Sequence, residues 1–335
     1  MRTEREVPAP RATKDTVLTV EGLRRNSLLS QGFNDKVVDI MLKARRDKSY
    51  KLYDCYLNKW LVYCDKVQCD PIYATVKTVL DFLQELFNEG CRGSSAMGTA
   101  RSAISSVVIL ADGSTVGQNR YVSQFMKGVS AIKPAQPRYL ETWDPDVLIE
   151  MFKSDKWNPC GDLDLMSLTV KLAVLILLAT YNRGQLILAL KISRMFRVSD
   201  DEVRFKILPS ELKQGCKKNY KPEPVVFKRL TENPEVCILS HIDVYLSKTS
   251  EVRKGCDQVF MTTKKPHRAV SRDSVSHWIK AAMRHAKINV EVFAPGSIRG
   301  ASSSGAFLAG VPLDQILRKA GWSKESTFLK WYKRV

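Results

Sequence analysis

The chain has 335 residues, of which 44% are hydrophobic and 26% charged, as in a globular protein long enough to form two domains. Its 53 lysines and arginines outnumber its 35 acidic residues, giving a net charge of +18. Such an excess favours a polyanionic partner, because each cation placed on a phosphate releases a counterion. Nucleic acid is therefore the expected partner, and the alternative is that the charge only confers solubility.

The cysteines and apolar runs exclude several other classes of protein. The eight cysteines are scattered, none forms a CxxC pair, and only four histidines are present to complete a metal set. We therefore expect reduced thiols in a soluble, intracellular protein that holds no metal. The amino terminus is charged and contains proline, unlike a signal peptide. The longest apolar run, at 172–179, is too short to cross a bilayer and predicts a buried helix.

The first half of the chain predicts an all-helical domain. Residues 1–30 lack apolar periodicity and are expected to be mobile. Over 31–132, apolar residues recur at the spacing of one helix face, first in Tyr53, Tyr56, Leu57, Trp60, Leu61 and Cys64 and then in Val76, Val79, Leu80, Leu83 and Phe87. Gly90 ends the second of these helices. Two further helices are predicted over about 94–110 and 118–129.

The pattern changes after residues 133–145, where three prolines predict an inter-domain linker. From 146 to 335 the fold class is mainly α with a small antiparallel sheet. The strands are predicted at 202–209 and 223–229, which flank a lysine-rich turn and form a hairpin, and at 257–262. The later helices are predicted at about 238–250, 272–287, 298–309, 312–320 and 324–333.

Residues suited to phosphodiester chemistry are concentrated at the end of the chain, in FAPGSIRGASSSGAFLAGVPLDQILRKAGWSKESTFLKWYKR. Breaking and rejoining DNA without ATP needs a nucleophile that stores the bond energy in a covalent ester. It also needs cations for the charged transition state and a proton donor for the leaving oxygen. Tyrosine suits the first role, arginine the second and lysine the third. No carboxylate cluster or phosphate loop accompanies them, so neither metal nor nucleotide cofactor is expected.

These residues, in their order, resemble the tyrosine recombinase (phage-integrase-like) family. The resemblance implies a catalytic set, each member in its local context, of Arg183 in TYNRG, Lys213 in SELKQ, Arg299 in GSIRG, Trp322 in AGWS and Tyr332 in KWYKR. It implies an all-helical core-binding (SAM-like) domain followed by a mixed α+β catalytic domain. It also implies site-specific DNA recombination or integration through a 3′-phosphotyrosyl intermediate at Tyr332. Three phrases, WIKAAMRHAKI, SIRGASSSGA and AGWSKESTF, look most like recombinases of DIRS-like and Crypton-like eukaryotic mobile elements.

The sequence departs from the family pattern at three points. Gly296 stands where the family has a histidine that assists deprotonation of the tyrosine, and Leu186 stands where an acidic residue is common. Trp322 and Tyr332 are ten residues apart where many members have nine. The alternative function is therefore a catalytically impaired, domesticated DNA-binding derivative. A supercoil-relaxing enzyme of the same fold is a third possibility.

Several site residues have a simpler structural interpretation. Arg183 follows a helix and could only stabilise its dipole, and Trp322 could be a core aromatic, with or without a polar role. Lys213 competes with three lysines in the same turn, at 217, 218 and 221. Trp331 competes with Tyr332 but has no phenolic oxygen, so we assign it to packing. The histidines at 267, 277 and 285 are expected at the surface.

Double-stranded DNA is the expected partner, clamped by both domains. Arg101 in TARSAISS and Lys127 in FMKGV are candidate phosphate or groove contacts. The resemblance implies a homo-oligomer, a dimer on DNA and a tetramer in synapsis. The chain ends three residues after Tyr332, so the helix that relatives exchange between protomers is expected to be short or absent. No membrane association is expected, and the location is the nucleus in a eukaryote or otherwise the cytoplasm or nucleoid.

Overall fold

Two units share the chain, Met1–Gln136 and Pro137–Val335. The computed structural model describes residues 19–44, 47–90, 93–212 and 223–334. The division falls inside the proline-containing segment at 133–145.

In the described part of the first unit, every regular element is a helix: α1 Val20–Leu29, α2 Asp35–Leu42, α3 Asp47–Val67, α4 Val76–Asn88, α5 Gly93–Ile104 and α6 Arg120–Ile132. Helix starts have side-chain caps where the sequence supplies them. The side chains of Thr75 and Asn119 accept hydrogen bonds from amides in the first turns of α4 and α6. The aromatic rings of Trp60, Tyr63 and Phe82 pack together where α3 meets α4.

The beginning of this unit differs from the prediction of a mobile segment over 1–30. Residues 20–29 form α1, whose Leu23 is fully buried and whose Ser27 hydroxyl donates to the Val107 carbonyl at 2.6 Å. Four apolar residues in ten are too few for a clear periodicity, yet two of them, Val20 and Leu23, belong to the core of the unit. Residues 1–18 lie outside the described part of the chain. The helix predicted over 94–110 ends at Ile104.

The second unit is built around a buried helix. Its helices are α7 Asp146–Lys153, α8 Leu165–Thr180, α9 Gln185–Ala189, α10 Ile238–Thr249, α11 Arg272–His285, α12 Ile298–Leu308, α13 Leu313–Ala320 and α14 Glu325–Trp331. The apolar run at 172–179 lies in α8, which α10, α11 and α12 surround, so the predicted buried helix is confirmed. Among the described residues, no helix combines the length and apolarity needed to cross a membrane.

A small antiparallel sheet completes the second unit, with β1 Met195–Ser199, β2 Glu202–Phe205 and β3 Val225–Lys228 in that order. The predicted hairpin is confirmed, since β2 pairs with β3 in the register Phe205 to Val225. The strand predicted at 257–262 is wrong: Gln258 and Met261 make only isolated bridges, although Val259, Phe260 and Met261 are buried. β1 was not predicted, because its side chains are mostly exposed and show no alternation. Mainly helical structure with a small antiparallel sheet is the observed fold class.

Candidate active site

Arg183 reaches the site from the turn that follows α8. Tyr181, the residue that caps the end of α8, adopts left-handed backbone angles (φ 53°), and the chain turns there. Burial raises the pKa of the Tyr181 phenol. Asn182 donates to the carbonyl of Lys319 at 3.0 Å, which ties the turn to the end of α13. The exposed Arg183 then donates from Nη2 to the phenolic oxygen of Tyr332 at 3.3 Å.

Arg299 enters the site from the first turn of α12. It is 2% exposed, and its Nη2 donates to the carbonyl of Ala320 at 2.8 Å. Its guanidinium carbon lies 4.4 Å from the centre of the Trp322 ring and 5.5 Å from that of Tyr332. Burying a full positive charge costs free energy unless hydrogen bonds or aromatic rings compensate it. Buried charges of this kind are typical of functional sites.

Trp322 and Tyr332 form an aromatic pair beside this guanidinium. Their ring centres are 4.5 Å apart with planes at 42°, and Trp322 also packs on Phe328 at 5.6 Å. Trp322 is therefore part of the packing between α13 and α14 as well as a neighbour of Arg299. The assignment of Trp331 to packing is wrong, because this side chain is 36% exposed and lies beside the ammonium of Lys330.

The backbone of Tyr332 is held by a residue that sequence analysis did not select. Tyr332 caps the end of α14, where its amide donates to the carbonyl of Phe328 at 2.8 Å. Its own carbonyl accepts a hydrogen bond from the hydroxyl of Ser304 at 2.6 Å, and the same hydroxyl accepts from the amide of Arg334 at 3.1 Å. The sequence gives only a run of three small serines here, with nothing to distinguish the third.

A cavity of about 320 Å³ opens beside the phenol, lined among others by Arg138, Tyr139, Gly296, Gly300 and Tyr332. Arg334, which also lines it, donates to the carbonyl of Tyr139 at 2.9 Å. A Cβ placed on Gly296 would meet no atom within 4 Å. The position at which the resemblance implies a histidine therefore has room for a Cβ.

Lys213 and the lysines at 217, 218 and 221 lie outside the described residues. The chain leading to them is anchored near Arg183, because Gln185 donates to the main-chain carbonyl of Glu211. The Glu211 carboxylate in turn pairs with Lys191 at 3.0 Å and Arg194 at 2.6 Å. These hydrogen bonds to the two cations lower the pKa of Glu211 against the opposing effect of its burial.

The two DNA-contact candidates belong to the first unit. Arg101 lies in the last turn of α5 and is half-buried, whereas Lys127 on the neighbouring helix α6 is exposed. Of the three histidines expected at the surface, those at 277 and 285 are exposed, and His267 is half-buried with Nδ1 2.9 Å from the carbonyl oxygen of Thr262. Within the described ranges, no group of three or more His, Cys, Asp or Glu is arranged to hold a metal ion.

The architecture of this chain is similar to that of several solved structures. No protein-family model matches the chain, and no curated protein matches it. Among solved structures, XerH site-specific recombinase bound to palindromic difH substrate, a post-cleavage complex, is similar with a TM-score of 0.57 and 13% identity, over 92% of this chain and 79% of that one. The Tn1549 transposon integrase in complex with transposon right end DNA is similar with a TM-score of 0.54 and 11% identity, over 95% of each chain. The chain has the fold of the tyrosine recombinases.

Proposed function

We propose that this chain is a site-specific DNA recombinase or integrase that cleaves and rejoins DNA through a 3′-phosphotyrosyl intermediate at Tyr332. One observation carries the proposal: Arg183, 149 residues away in the chain, donates a hydrogen bond to the Tyr332 phenol at 3.3 Å. The guanidinium of Arg299 lies over the same ring, 5.5 Å from its centre. Two arginines that converge on one phenol suit a nucleophile that must attack an anionic phosphodiester.

The proposed step is an exchange of one phosphate ester for another. The phenolic oxygen of Tyr332 gives up its proton to solvent water and attacks the phosphorus, forming a bond to the 3′-phosphate while the bond to the 5′ oxygen breaks. Arg183 and Arg299 stabilise the added charge on the non-bridging oxygens. Lys213 donates the proton that the departing 5′ oxygen takes up. Reversal by a 5′ hydroxyl rejoins the strand, so no cofactor is required.

Trp322 serves this chemistry through Arg299. The indole face under the guanidinium fixes the plane of Arg299, and the bond to the Ala320 carbonyl fixes one edge. A preorganised cation stabilises a transition state without the cost of reorganising during the reaction. We therefore assign Trp322 to positioning as well as to packing.

The partner in this proposal is double-stranded DNA, bound by the helical unit and the catalytic unit together. Arg101 and Lys127 contact its backbone or a groove, consistent with the net charge of +18. XerH and the Tn1549 integrase are described with DNA substrates of their own. A dimer on DNA, a synaptic tetramer, origin in a DIRS-like or Crypton-like mobile element, and a nuclear or nucleoid location complete the proposal.

A second candidate function is DNA binding without efficient cleavage. Gly296 favours it, because a glycine supplies no imidazole to assist deprotonation of Tyr332. Because the space around the Cβ position of Gly296 is open, a histidine introduced there tests this candidate directly.

Covalent trapping separates the two candidates. Binding selection from random-sequence duplexes supplies the recognition site, and a nick placed near the scissile phosphate makes cleavage irreversible. We expect the native chain to form a covalent protein–DNA adduct that is absent in Tyr332→Phe, with unchanged DNA affinity in both. A native chain that binds the site but forms no adduct supports the DNA-binding derivative and contradicts the recombinase.

A further inference from the structure

Ser304 joins the helix that carries Arg299 to the backbone around the nucleophile. Its side chain is 1% exposed, and its hydroxyl works in both directions. It donates to the Tyr332 carbonyl at 2.6 Å and accepts from the Arg334 amide at 3.1 Å. A hydroxyl can donate one hydrogen bond and can also accept. Ser304 does both, and both partners are main-chain groups of residues 332–334.

The two serines before it provide a contrast within one helix. Ser302 and Ser303 are also buried, but their hydroxyls donate to the carbonyl of Arg299, at 3.4 and 2.7 Å. Such bonds to the preceding turn of the same helix are a common local arrangement. Ser304 instead bonds residues 28 and 30 positions away, in a different element.

The position of these bonds relative to Tyr332 gives them a consequence. Tyr332 follows the last residue of α14, so the helix itself holds it only through the bond from its amide to the Phe328 carbonyl. Ser304 adds a second attachment, and it lies on α12, the helix that also carries Arg299. One helix, α12, thus fixes the positions of both the Arg299 side chain and the backbone of Tyr332.

We infer that Ser304 is a positioning residue for cleavage, whose hydroxyl fixes Tyr332 relative to Arg299 and Arg183. The inference rests on the proposed function. Small errors in the placement of a nucleophile reduce rates steeply, by up to about 100-fold for a displacement of 1 Å. Because Ser304 is buried, we expect its replacement to leave DNA affinity unchanged.

A pair of variants of equal shape isolates the hydroxyl. Ser304→Thr keeps it and Ser304→Val replaces it with a methyl group, so any steric cost of the added methyl is common to both. We expect Ser304→Val to form the covalent adduct on the nicked substrate roughly 10- to 100-fold more slowly than Ser304→Thr, with equal DNA affinity. Ser303→Ala, which removes a buried hydroxyl that bonds only within its own helix, should cleave at the native rate.

Equal adduct rates in Ser304→Thr and Ser304→Val overturn the inference, as does an equal loss of rate in Ser303→Ala. Hydrogen exchange of the amides in residues 329–334 gives a second readout that needs no cleavage. Exchange there should be faster in Ser304→Val than in Ser304→Thr, and equal exchange contradicts the inference. If the native chain forms no adduct, the proposed function fails and with it the role of Ser304 in cleavage, while the exchange measurement still shows whether the Ser304 hydroxyl holds the backbone of Tyr332.

Discussion

The guanidinium of Arg299 lies 4.4 Å from the centre of the Trp322 ring, and Trp322 in turn lies 4.5 Å from the ring of Tyr332. The three side chains come from α12, from the turn after α13 and from the end of α14. A buried cation over an indole face gains about 2 kcal/mol relative to an unstacked one. The pair therefore links the packing of the last three helices to the position of the charge that we propose for catalysis.

Truncating Trp322 should cost both stability and cleavage, and a smaller aromatic ring should restore part of each. Trp322→Ala removes the ring under Arg299 and its contact with Phe328, so we expect a loss of about 3 kcal/mol in the free energy of unfolding. Trp322→Phe keeps an aromatic face and should lose less than half of that. Chemical denaturation and adduct rates, measured on the same preparations, check this. Equal values for the two variants would mean that stacking is irrelevant.

Arg183 should matter for cleavage and not for folding. Its side chain is exposed, so Arg183→Ala should change the free energy of unfolding by about 0.5 kcal/mol or less. The rate of adduct formation should fall roughly 100-fold or more, because a cation at the phosphate is lost. Lys153→Ala, which removes a surface cation paired with Glu150, is the matched control and should cleave normally. A rate loss shared by both variants would point to a general charge effect instead.

Introducing a histidine at Gly296 should accelerate cleavage. A Cβ at this position meets no atom within 4 Å, and Gly296 lines the same cavity as Tyr332. We therefore expect an imidazole there to assist deprotonation of Tyr332, an effect of roughly 100-fold for general base catalysis. The pH dependence of the rate should then acquire a step near the ordinary pKa of histidine, about 6.5. Gly296→Ala, which adds a Cβ without an ionisable group, should leave the rate unchanged. A folded Gly296→His variant no faster than Gly296→Ala would refute the expectation.

Lys127 should contribute to DNA affinity without reading sequence. Lys127→Ala removes one exposed cation from α6. The slope of the logarithm of the association constant against the logarithm of salt concentration should therefore become shallower by about one. Specific and random duplexes should weaken by the same factor. Fluorescence anisotropy titrations at several salt concentrations measure both. An unchanged slope would remove Lys127 from the interface.

His241 should make the second unit sensitive to acid. It is fully buried in α10, and burial together with the charge of Lys171 lowers its pKa to about 4 from 6.5. The unfolded chain therefore binds more protons between these values, and stability falls as pH decreases from 6.5 towards 4, by at most about 1.4 kcal/mol per pH unit. His241→Gln should show a flatter dependence in urea denaturation between pH 4.5 and 7. Parallel curves would contradict this.

The sequence predicted those features of the fold that depend on a clear pattern. Helices with a repeating apolar face and the buried run in α8 were found because periodicity and burial coincide. α1 was missed because its few apolar residues form no clear repeat, and β1 because its side chains are mostly exposed. The run at 257–262 was misread, since a short buried apolar segment can form isolated bridges as easily as a ladder.

The site was predictable only where residue type determines the chemistry. Arg183, Arg299, Trp322 and Tyr332, placed by family resemblance, lie together in the second unit. Ser304 had no such signal, because its role depends on which atoms lie opposite its hydroxyl after folding. Trp331 is assigned to packing because it has no phenolic oxygen, but at the end of α14 its side chain is 36% exposed.

The site of covalent attachment is the most direct test of the central claim. Tyr139 and Tyr332 line the same cavity, so adduct formation alone does not identify the nucleophile. Mass spectrometry of peptides from the trapped complex should place the 3′-phosphate on Tyr332, and Tyr139→Phe should leave adduct formation intact. Attachment at any other residue, or an adduct that persists in Tyr332→Phe, would contradict the account.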